Sequence, residues 1–413
     1  MSPAAPAHPH LAILGAGPIG LEAALGAADA GLSFTLYEAG AEPASHLADW
    51  GHVRLFTPWD LSVSPRQRRQ LEAAGKPAPT GGDCPTGDEL RRRVLLPLAG
   101  SPAVAPRLRL GARLRAVGRQ GLLKHEEIAT AARGGRPFRL LVDERGEERI
   151  ELADRVLDCT GTWGHPNTLG DGGIPAPGEE RLAGRISHHI PDVAREGAEW
   201  AGRSILLVGA GHSAQTAARD LAALAIGAPG TRVLWALRDE QPGFGAVVDD
   251  PLPARAALAA TAAELLGGAS PAVWAYRGVA VERLAERDGK LVVTLRKVAG
   301  EPQEVIVDRV LALTGAVGDH ALYRQLQVHE CYATSGPMKL SAALFASTGG
   351  GGDCLAQTTH GVDNLKSPEP GFFLLGVKSY GRNNSFLLRV GWGQVAEVMA
   401  ELGTPAAMAT VPA

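Results

Sequence analysis

The chain alternates short, continuously apolar runs with longer Ala- and Leu-rich stretches, the pattern of strand–helix–strand units that feed a parallel sheet. Leu11-Ala12-Ile13-Leu14 has no polar position, which suits a strand buried on both faces. It runs into Gly15-Ala16-Gly17-Pro18-Ile19-Gly20 and an Ala-rich helix reaching about Ala30. Gly31 is placed as the helix stop, and Ser33 to Tyr37 forms the next strand, ending in Glu38. A second unit begins at Ser204-Ile205-Leu206-Leu207-Val208, passes through Gly209-Ala210-Gly211-His212-Ser213-Ala214 into another Ala-rich helix, and returns as Arg232 to Leu237. Between the two lie a turn-rich stretch from Pro58 to Asp88 and charge-interrupted strands from Leu108 to Glu151, expected as a small antiparallel insertion. Gly289 to Arg309 alternates like two hairpin strands. Each half closes on one phrase, Asp154-Arg155-Val156-Leu157 before Gly161 and Asp308-Arg309-Val310-Leu311 before Gly315, an internal repeat of a strand returning to its sheet before a glycine turn.

A length of 413 residues predicts two or three domains. The formal net charge of -3 leaves no basic surplus to neutralise phosphates, so nucleic acid is not expected as a partner. Cys84, Cys159, Cys331 and Cys354 form no CxxC pair and no metal-ligand spacing, which predicts no metal site and fits a reducing compartment. Met1 to His10 lacks a basic start followed by an apolar core, and no run approaches the length of a membrane span, so a soluble cytoplasmic protein without membrane contact is expected. Phe, Trp and Tyr together number only 20, yet Trp50, Phe56 and Trp59 cluster in one segment and Phe372, Phe373, Tyr380, Phe386 and Trp392 in another. That clustering makes the two segments candidates for a pocket rather than for general core.

The first glycine fingerprint comes with its full context. Gly15 permits the tight turn after the strand, Gly17 lets backbone approach a pyrophosphate, and Gly20 lets helix and strand pack closely. The helix start offers N–H groups and a positive dipole end to phosphate, and Pro18 costs nothing in a first turn. Glu38 is placed to accept hydrogen bonds from a ribose diol. In the second fingerprint Gly209 and Gly211 are followed by Ser213 and Ala214 instead of a third glycine. Its return strand ends in Leu237-Arg238 with Asp239 and Glu240 next, and Arg238 favours a 2'-phosphate and hence NADPH, with the following acids as an alternative partner for a free diol.

With these motifs in this order the chain resembles the two-dinucleotide-binding flavoproteins, the flavin-containing monooxygenases and pyridine-nucleotide disulfide reductases, most of all the former. The resemblance implies an α/β fold of two Rossmann-like nucleotide-binding domains with parallel sheets and small antiparallel β insertions. It divides the chain into a discontinuous FAD-binding domain, 1–189 plus 316–413, and an NADPH-binding domain, 190–315. Gly15, Gly17, Pro18, Gly20 and Glu38 match the family's GxGPxG and strand-end acid. Asp158-Cys159-Thr160-Gly161-Thr162 is similar to its "ATG" segment, which implies Thr160 and Gly161 as cofactor contacts. Gly209, Gly211, Ser213 and Ala214 resemble its NADPH turn. Leu182-x-Gly184-x-x-x-His188 is similar to the FxGxxxH signature, with Leu182 in place of the aromatic and Asp192 where an aromatic usually closes it.

Trp50, Arg54, Phe56 and Trp59 fall where the chain of these flavoproteins passes near the flavin, and are candidates to line it or the substrate. From Phe372 a strand, a polar turn and a helix from about Ser385 are expected, capped by Asn384 or Ser385. In the resembled families this segment brings backbone N–H groups to the flavin, which implies Asn384, Ser385 and Phe386 as contacts. The usual "GD" pair is replaced by the region of Lys378 and Arg382, candidates for an added cation near the flavin or for a substrate anion site. Cys331 to Leu355 matches no motif, and its two thiols are expected to be buried and inert. The function implied is an FAD-containing, NADPH-dependent monooxygenase using O2 through a flavin C4a-(hydro)peroxide on a soft N or S centre or a carbonyl of a small molecule. The alternatives are a flavin-dependent NADPH reductase or dehydrogenase without a dithiol, and a non-catalytic FAD- and NADP-binding flavoprotein.

Overall fold

A computed structural model describes residues 9–297, 300–348 and 359–403. In chain order the strands are β1 His10–Leu14, β2 Ser33–Glu38, β3 Leu108–Leu110, β4 Ala112–Arg119, β5 Phe138–Glu144, β6 Glu147–Ala153, β7 Arg155–Asp158 and β8 Ile186–Ser187. They continue as β9 Ser204–Val208, β10 Arg232–Leu237, β11 Val273–Arg277, β12 Val279–Arg287, β13 Lys290–Lys297, β14 Gln303–Val307, β15 Arg309–Ala312 and β16 Phe372–Leu374. The chain divides into two compact units, Met1–Gly164 with Val317–Ala413, and His165–Ala316. The fold class is α/β, with two Rossmann-like units that each carry a five-stranded sheet and a three-stranded antiparallel one.

The first unit's parallel sheet runs β16-β7-β1-β2-β3. β1 is central, pairing Leu11 with Phe34 on one side and with Arg155 on the other. A strand so placed has no face on water, which is why its sequence carries no polar alternation. Leu11 and Ile13 point into the core shared with the helices, whereas Ala12 and Leu14 point into a second core with Val117, Phe138 and Leu140. The antiparallel sheet β4-β5-β6 thus covers the face that the helices leave open. The helix Pro18–Asp29 buries Leu21, Ala23, Ala24 and Leu25 completely. It ends in a paired 6→1 and 5→2 closure, Leu32 N–H to Ala27 O at 2.9 Å and Gly31 N–H to Ala28 O at 3.1 Å, with Gly31 at φ +66°.

The second unit repeats the plan with parallel order β11-β10-β9-β15-β8 and a covering antiparallel sheet β12-β13-β14. Leu206, Ala236 and Val310 meet Val281, Leu284 and Val293 between the two layers. The echoed phrases are the same element in both units, since β7 pairs with β1 and β15 with β9, each parallel.

Several expectations change in the structure. β3 is a parallel edge strand of the main sheet, so the antiparallel insertion begins only at Ala112. The turn-rich stretch contains the helices Trp59–Ser62 and Pro65–Ala73, the latter started by a capping box of Ser64 and Gln67. Residues 165–189, assigned from sequence to the first domain, lie in the second unit, because β8 adds to the edge of its sheet at β15.

Candidate functional site

In the first unit the glycine turn leaves β1 at the C-terminal edge of the parallel sheet, where ligands of open α/β sheets bind. Gly15 has φ +91°, and a Cβ on it would stand 2.9 Å from the Cys159 carbonyl oxygen. A Cβ on Gly20 would land on the Gly15 carbonyl oxygen, so only glycine lets the helix approach the strand. Gly17 differs from both: a Cβ there meets nothing within 4 Å. Its lack of a side chain serves no internal contact and leaves a cradle open toward the helix start. No side chain caps that helix, and Pro18 opens its first turn.

Glu38 ends β2 beside this turn and is buried. Its carboxylate accepts from the Ala16 N–H at 2.9 Å, the Gly40 N–H at 2.8 Å and the Ser45 hydroxyl at 3.1 Å. A carboxylate has about four acceptor sites, so three donors fix its orientation and leave capacity for one more. These residues fit the adenosine and pyrophosphate parts of a dinucleotide. Sequence reasoning missed Arg91, whose buried guanidinium pairs with Glu42 just beyond this loop while its Nε has no partner. It reads as part of a short basic run; its only local signal is the Thr86–Glu89 capping box that starts the helix before it.

The phrase after β7 lies against the glycine turn. Asp158 is in register with Leu14, and Thr160 Cα would be 3.1 Å from a Cβ on Gly15. Gly161 takes φ +71°. Thr160 donates both its N–H, at 3.1 Å, and its hydroxyl, at 2.6 Å, to Asp158 Oδ1, so neither is left for a ligand. Cys159 is buried, and burial followed by the neighbouring Asp158 pushes its thiol far above the ordinary range, which makes it a packing residue.

The C-terminal segment meets the same region. The 3₁₀ turn Gly376–Tyr380 follows β16, and Gly376 abuts Ile19 of the dinucleotide helix, a Cβ there lying 3.1 Å from it. Gln394 holds the turn from the final helix, accepting from the Gly376 N–H at 2.9 Å and donating to the Ser379 hydroxyl at 2.9 Å. The structure corrects the sequence reading of Lys378. It lines no open pocket: it has no exposure and forms an ion pair with Asp158 at 2.6 Å. Arg382 is exposed, with its N–H on the Thr334 carbonyl at 2.8 Å. The last helix begins at Leu388 rather than near Ser385. Asn383 is the reason, since its carboxamide oxygen takes the Ser385 N–H at 2.9 Å and hydroxyl at 2.6 Å and holds a turn there. Asn384 is exposed, and Phe386 packs edge-on against Tyr380 at 5.3 Å.

Of the first aromatic segment, Trp50 reaches the phrase after β7, with its ring 6.4 Å from that of Trp163. Trp59 does not line a pocket; it is buried in the core of the unit, with Arg93 stacked 4.8 Å from its ring centroid. Arg54 is largely exposed and donates to the Cys84 carbonyl, and Phe56 is half-buried nearby. Cys331 is buried, and hydrogen bonding with Thr334 holds its thiol below the ordinary range; Cys354 lies outside the described residues.

The second unit presents a matching turn at the C-terminal edge of its own sheet. Gly209 has φ +126°, and a Cβ there would strike the Leu313 carbonyl oxygen, whereas a Cβ on Gly211 meets nothing within 4 Å. Trp235 steadies the turn by donating to Gly209 O at 2.8 Å. The helix His212–Gly227 starts without a side-chain cap; Ser213 lies in its first turn, and Ala214 is buried in it. Arg238, Asp239 and Glu240 are exposed just past β10. His212, partly buried, is held below its ordinary pKa by desolvation and then by Arg255. In the signature-like segment Leu182 is buried, His188 is held below its ordinary pKa chiefly by desolvation, and Asp192 caps the helix Val193–Trp200 at 3.2 Å.

Two parallel-sheet units, each with an open-cradled glycine turn at its sheet edge, make a two-domain α/β fold of the Rossmann-like kind. Solved structures similar to the chain over nearly its whole length include the bacillithiol disulfide reductase of Bacillus cereus, 19% identical, TM-score 0.66, covering 96% of this chain and 99% of that one. Another is the FAD-bound cadaverine monooxygenase of desferrioxamine biosynthesis from Erwinia amylovora, 13% identical, TM-score 0.64, covering 98% of each chain. A third is the ornithine N-hydroxylase from Kutzneria sp. 744, solved with reduced FAD, NADP+ and L-ornithine, 14% identical, TM-score 0.60, covering 96% of this chain and 100% of that one. At such identities the likeness is one of fold. No protein-family model and no curated protein sequence matches the chain. Among the described residues no helix is long and apolar enough to cross a membrane.

Proposed function

We propose that the chain is an FAD-containing, NADPH-dependent oxidoreductase, acting as a monooxygenase on a small molecule with O2 as co-substrate. The observation that carries this reading is the pair of open cradles, at Gly17 and Gly211, each before an uncapped helix start. Glu38, fixed by three donors, holds the FAD ribose, and the N–H groups of the helix Pro18–Asp29 meet the pyrophosphate. Gly161 and the segment 376–386, with Asn384, Ser385 and Phe386, border the flavin end. In the second unit Gly209, Gly211, Ser213 and Ala214 cradle the nicotinamide dinucleotide, and Arg238 pairs with its 2'-phosphate. When bound, FAD would supply the hydride and O2 chemistry; the chain's own part is binding, orientation and exclusion of water. Trp50 and Trp163 form an apolar wall beside the phrase after β7 that suits this exclusion.

The monooxygenase assignment draws on the order of motifs and on two neighbours named as a cadaverine monooxygenase and an ornithine N-hydroxylase. A reductase reading is favoured by the equally long match to a bacillithiol disulfide reductase. The two diverge when O2 is admitted to protein already reduced anaerobically with NADPH. The monooxygenase reading expects the oxidised flavin spectrum to return slowly, through an absorbance distinct from both end states. Immediate return with release of hydrogen peroxide would overturn it in favour of the reductase. FAD-loaded protein that NADPH does not reduce would make the chain a binding protein without turnover.

A further inference from the structure

Lys378 and Asp158 form an ion pair with no exposure on either side chain. They stand 220 residues apart in sequence, Asp158 at the end of β7 and Lys378 on the 3₁₀ turn after β16. Lys378 Nζ donates to Asp158 Oδ2 at 2.6 Å and to Thr160 Oγ1 at 3.1 Å, while Thr160 gives its own N–H and hydroxyl to Asp158 Oδ1. The Tyr323 ring covers the ammonium, 5.1 Å from its centroid. Gly318 closes over the aliphatic stem, where a Cβ would come within 2.7 Å of Lys378 Cε. The charged groups of this cluster are thus partnered from inside the protein.

A buried pair of this kind is weak as a source of stability, since apolar replacements of similar volume often fold as well or better; what it supplies is geometry. The geometry it fixes belongs to the two segments that border the first glycine turn. Thr160 lies against Gly15, and Gly376 lies against Ile19 at the start of the dinucleotide helix. One ammonium therefore ties both segments together at the C-terminal edge of the sheet.

We propose that Lys378 is a positioning residue for the flavin dinucleotide: by neutralising Asp158 and engaging the Thr160 hydroxyl, it clamps the segments 158–161 and 376–380 in the shape that receives the cofactor. The inference rests on the flavoprotein reading above and deepens it. Without the ammonium, Asp158 is an uncompensated buried carboxylate. The tie between Thr160 and the 3₁₀ turn is then lost, and the turn is left to its bonds with Gln394.

The test compares wild type, Lys378→Met and the neutral double variant Asp158→Asn/Lys378→Met. Each is freed of cofactor, titrated with FAD by flavin fluorescence, and melted. Lys378→Met is expected to melt lower, and the double variant to recover most of the loss because no unpaired charge remains. Both variants are expected to bind FAD about tenfold more weakly or worse, the range commanded by residues that hold a ligand-binding group in place. Both are also expected to shift the absorbance bands of the flavin they retain. A double variant with wild-type affinity and an unshifted flavin spectrum would reduce the pair to core packing and overturn the proposal. Wild-type protein that takes up no FAD would fail the flavoprotein reading itself, a result distinct from any difference among the variants.

Discussion

Replacing Gly17 by Val separates binding from folding more cleanly than any other change in the first turn. The backbone at Gly17 has φ -79° and ψ -169°, a region open to every L residue, and a Cβ there meets nothing within 4 Å. The folded chain therefore loses only the preference for glycine over an apolar residue at a helix N-cap, about 0.5–1 kcal/mol. Against a domain stability of about 5–15 kcal/mol that loss leaves the protein folded. Binding is expected to fare differently, because the new side chain fills the open space proposed to admit a pyrophosphate to the helix start. Losing two charge-assisted hydrogen bonds at about 1.5 kcal/mol each already raises Kd more than roughly a hundredfold. Gly20→Ala is the contrast: its methyl lands on the Gly15 carbonyl oxygen and must part helix from strand. That overpacking costs about 1–3 kcal/mol or more and takes stability along with FAD. The assay is flavin content per chain with thermal melts of the cofactor-free proteins. Gly17→Val is expected to be colourless with a near wild-type melt, and Gly20→Ala colourless with a depressed one. FAD retained by Gly17→Val, or equal destabilisation of the two, would refute the assignment of the cradle.

Arg238→Ala is expected to weaken NADPH at least about tenfold more than NADH in anaerobic titrations, since only NADPH carries the 2'-phosphate proposed as the partner of the guanidinium; equal losses would remove Arg238 from the site. Glu369→Gln leaves the fully buried Arg119 and Arg133 without their shared carboxylate. It should cost about 3–5 kcal/mol in urea unfolding, whereas a loss under about 1 kcal/mol would show that the two guanidinium groups find other partners. His188 and His212 are both held below their ordinary pKa in the folded chain, chiefly by desolvation. As pH falls through about 6.5 the unfolded chain takes up protons at these residues before the folded chain does. Stability should thus fall with pH from about 6.5 down to the folded values, and His188→Asn/His212→Asn should flatten that slope; an unchanged slope would assign it to other groups.

The parts legible in the sequence are those governed by neighbours along the chain. A run such as Leu11 to Leu14 announces a strand buried on both faces, Gly31 a helix stop, and Glu38 the acid at a strand end, because each rests on local backbone and local pattern. The parts that escaped depend on partners far away. A lysine in a polar turn looks solvated until the fold brings Asp158 and Tyr323 around it. Trp59 belongs to a cluster of sparse aromatics, yet the helix it opens turns it into the core. The helix expected from Ser385 starts at Leu388 because one Asn383 side chain competes for the backbone. Residues 165–189 join the second unit through the two-residue strand β8, too short to carry a periodic signal.

The most direct measurement of the central claim is an anaerobic titration of the purified protein with NADPH, followed by flavin absorbance. An FAD-containing, NADPH-dependent oxidoreductase is predicted to carry about one flavin per chain and to bleach fully with about one equivalent of NADPH, because one hydride reduces one flavin. Protein that carries no flavin, or a bound flavin that stays oxidised under excess NADPH, would contradict it.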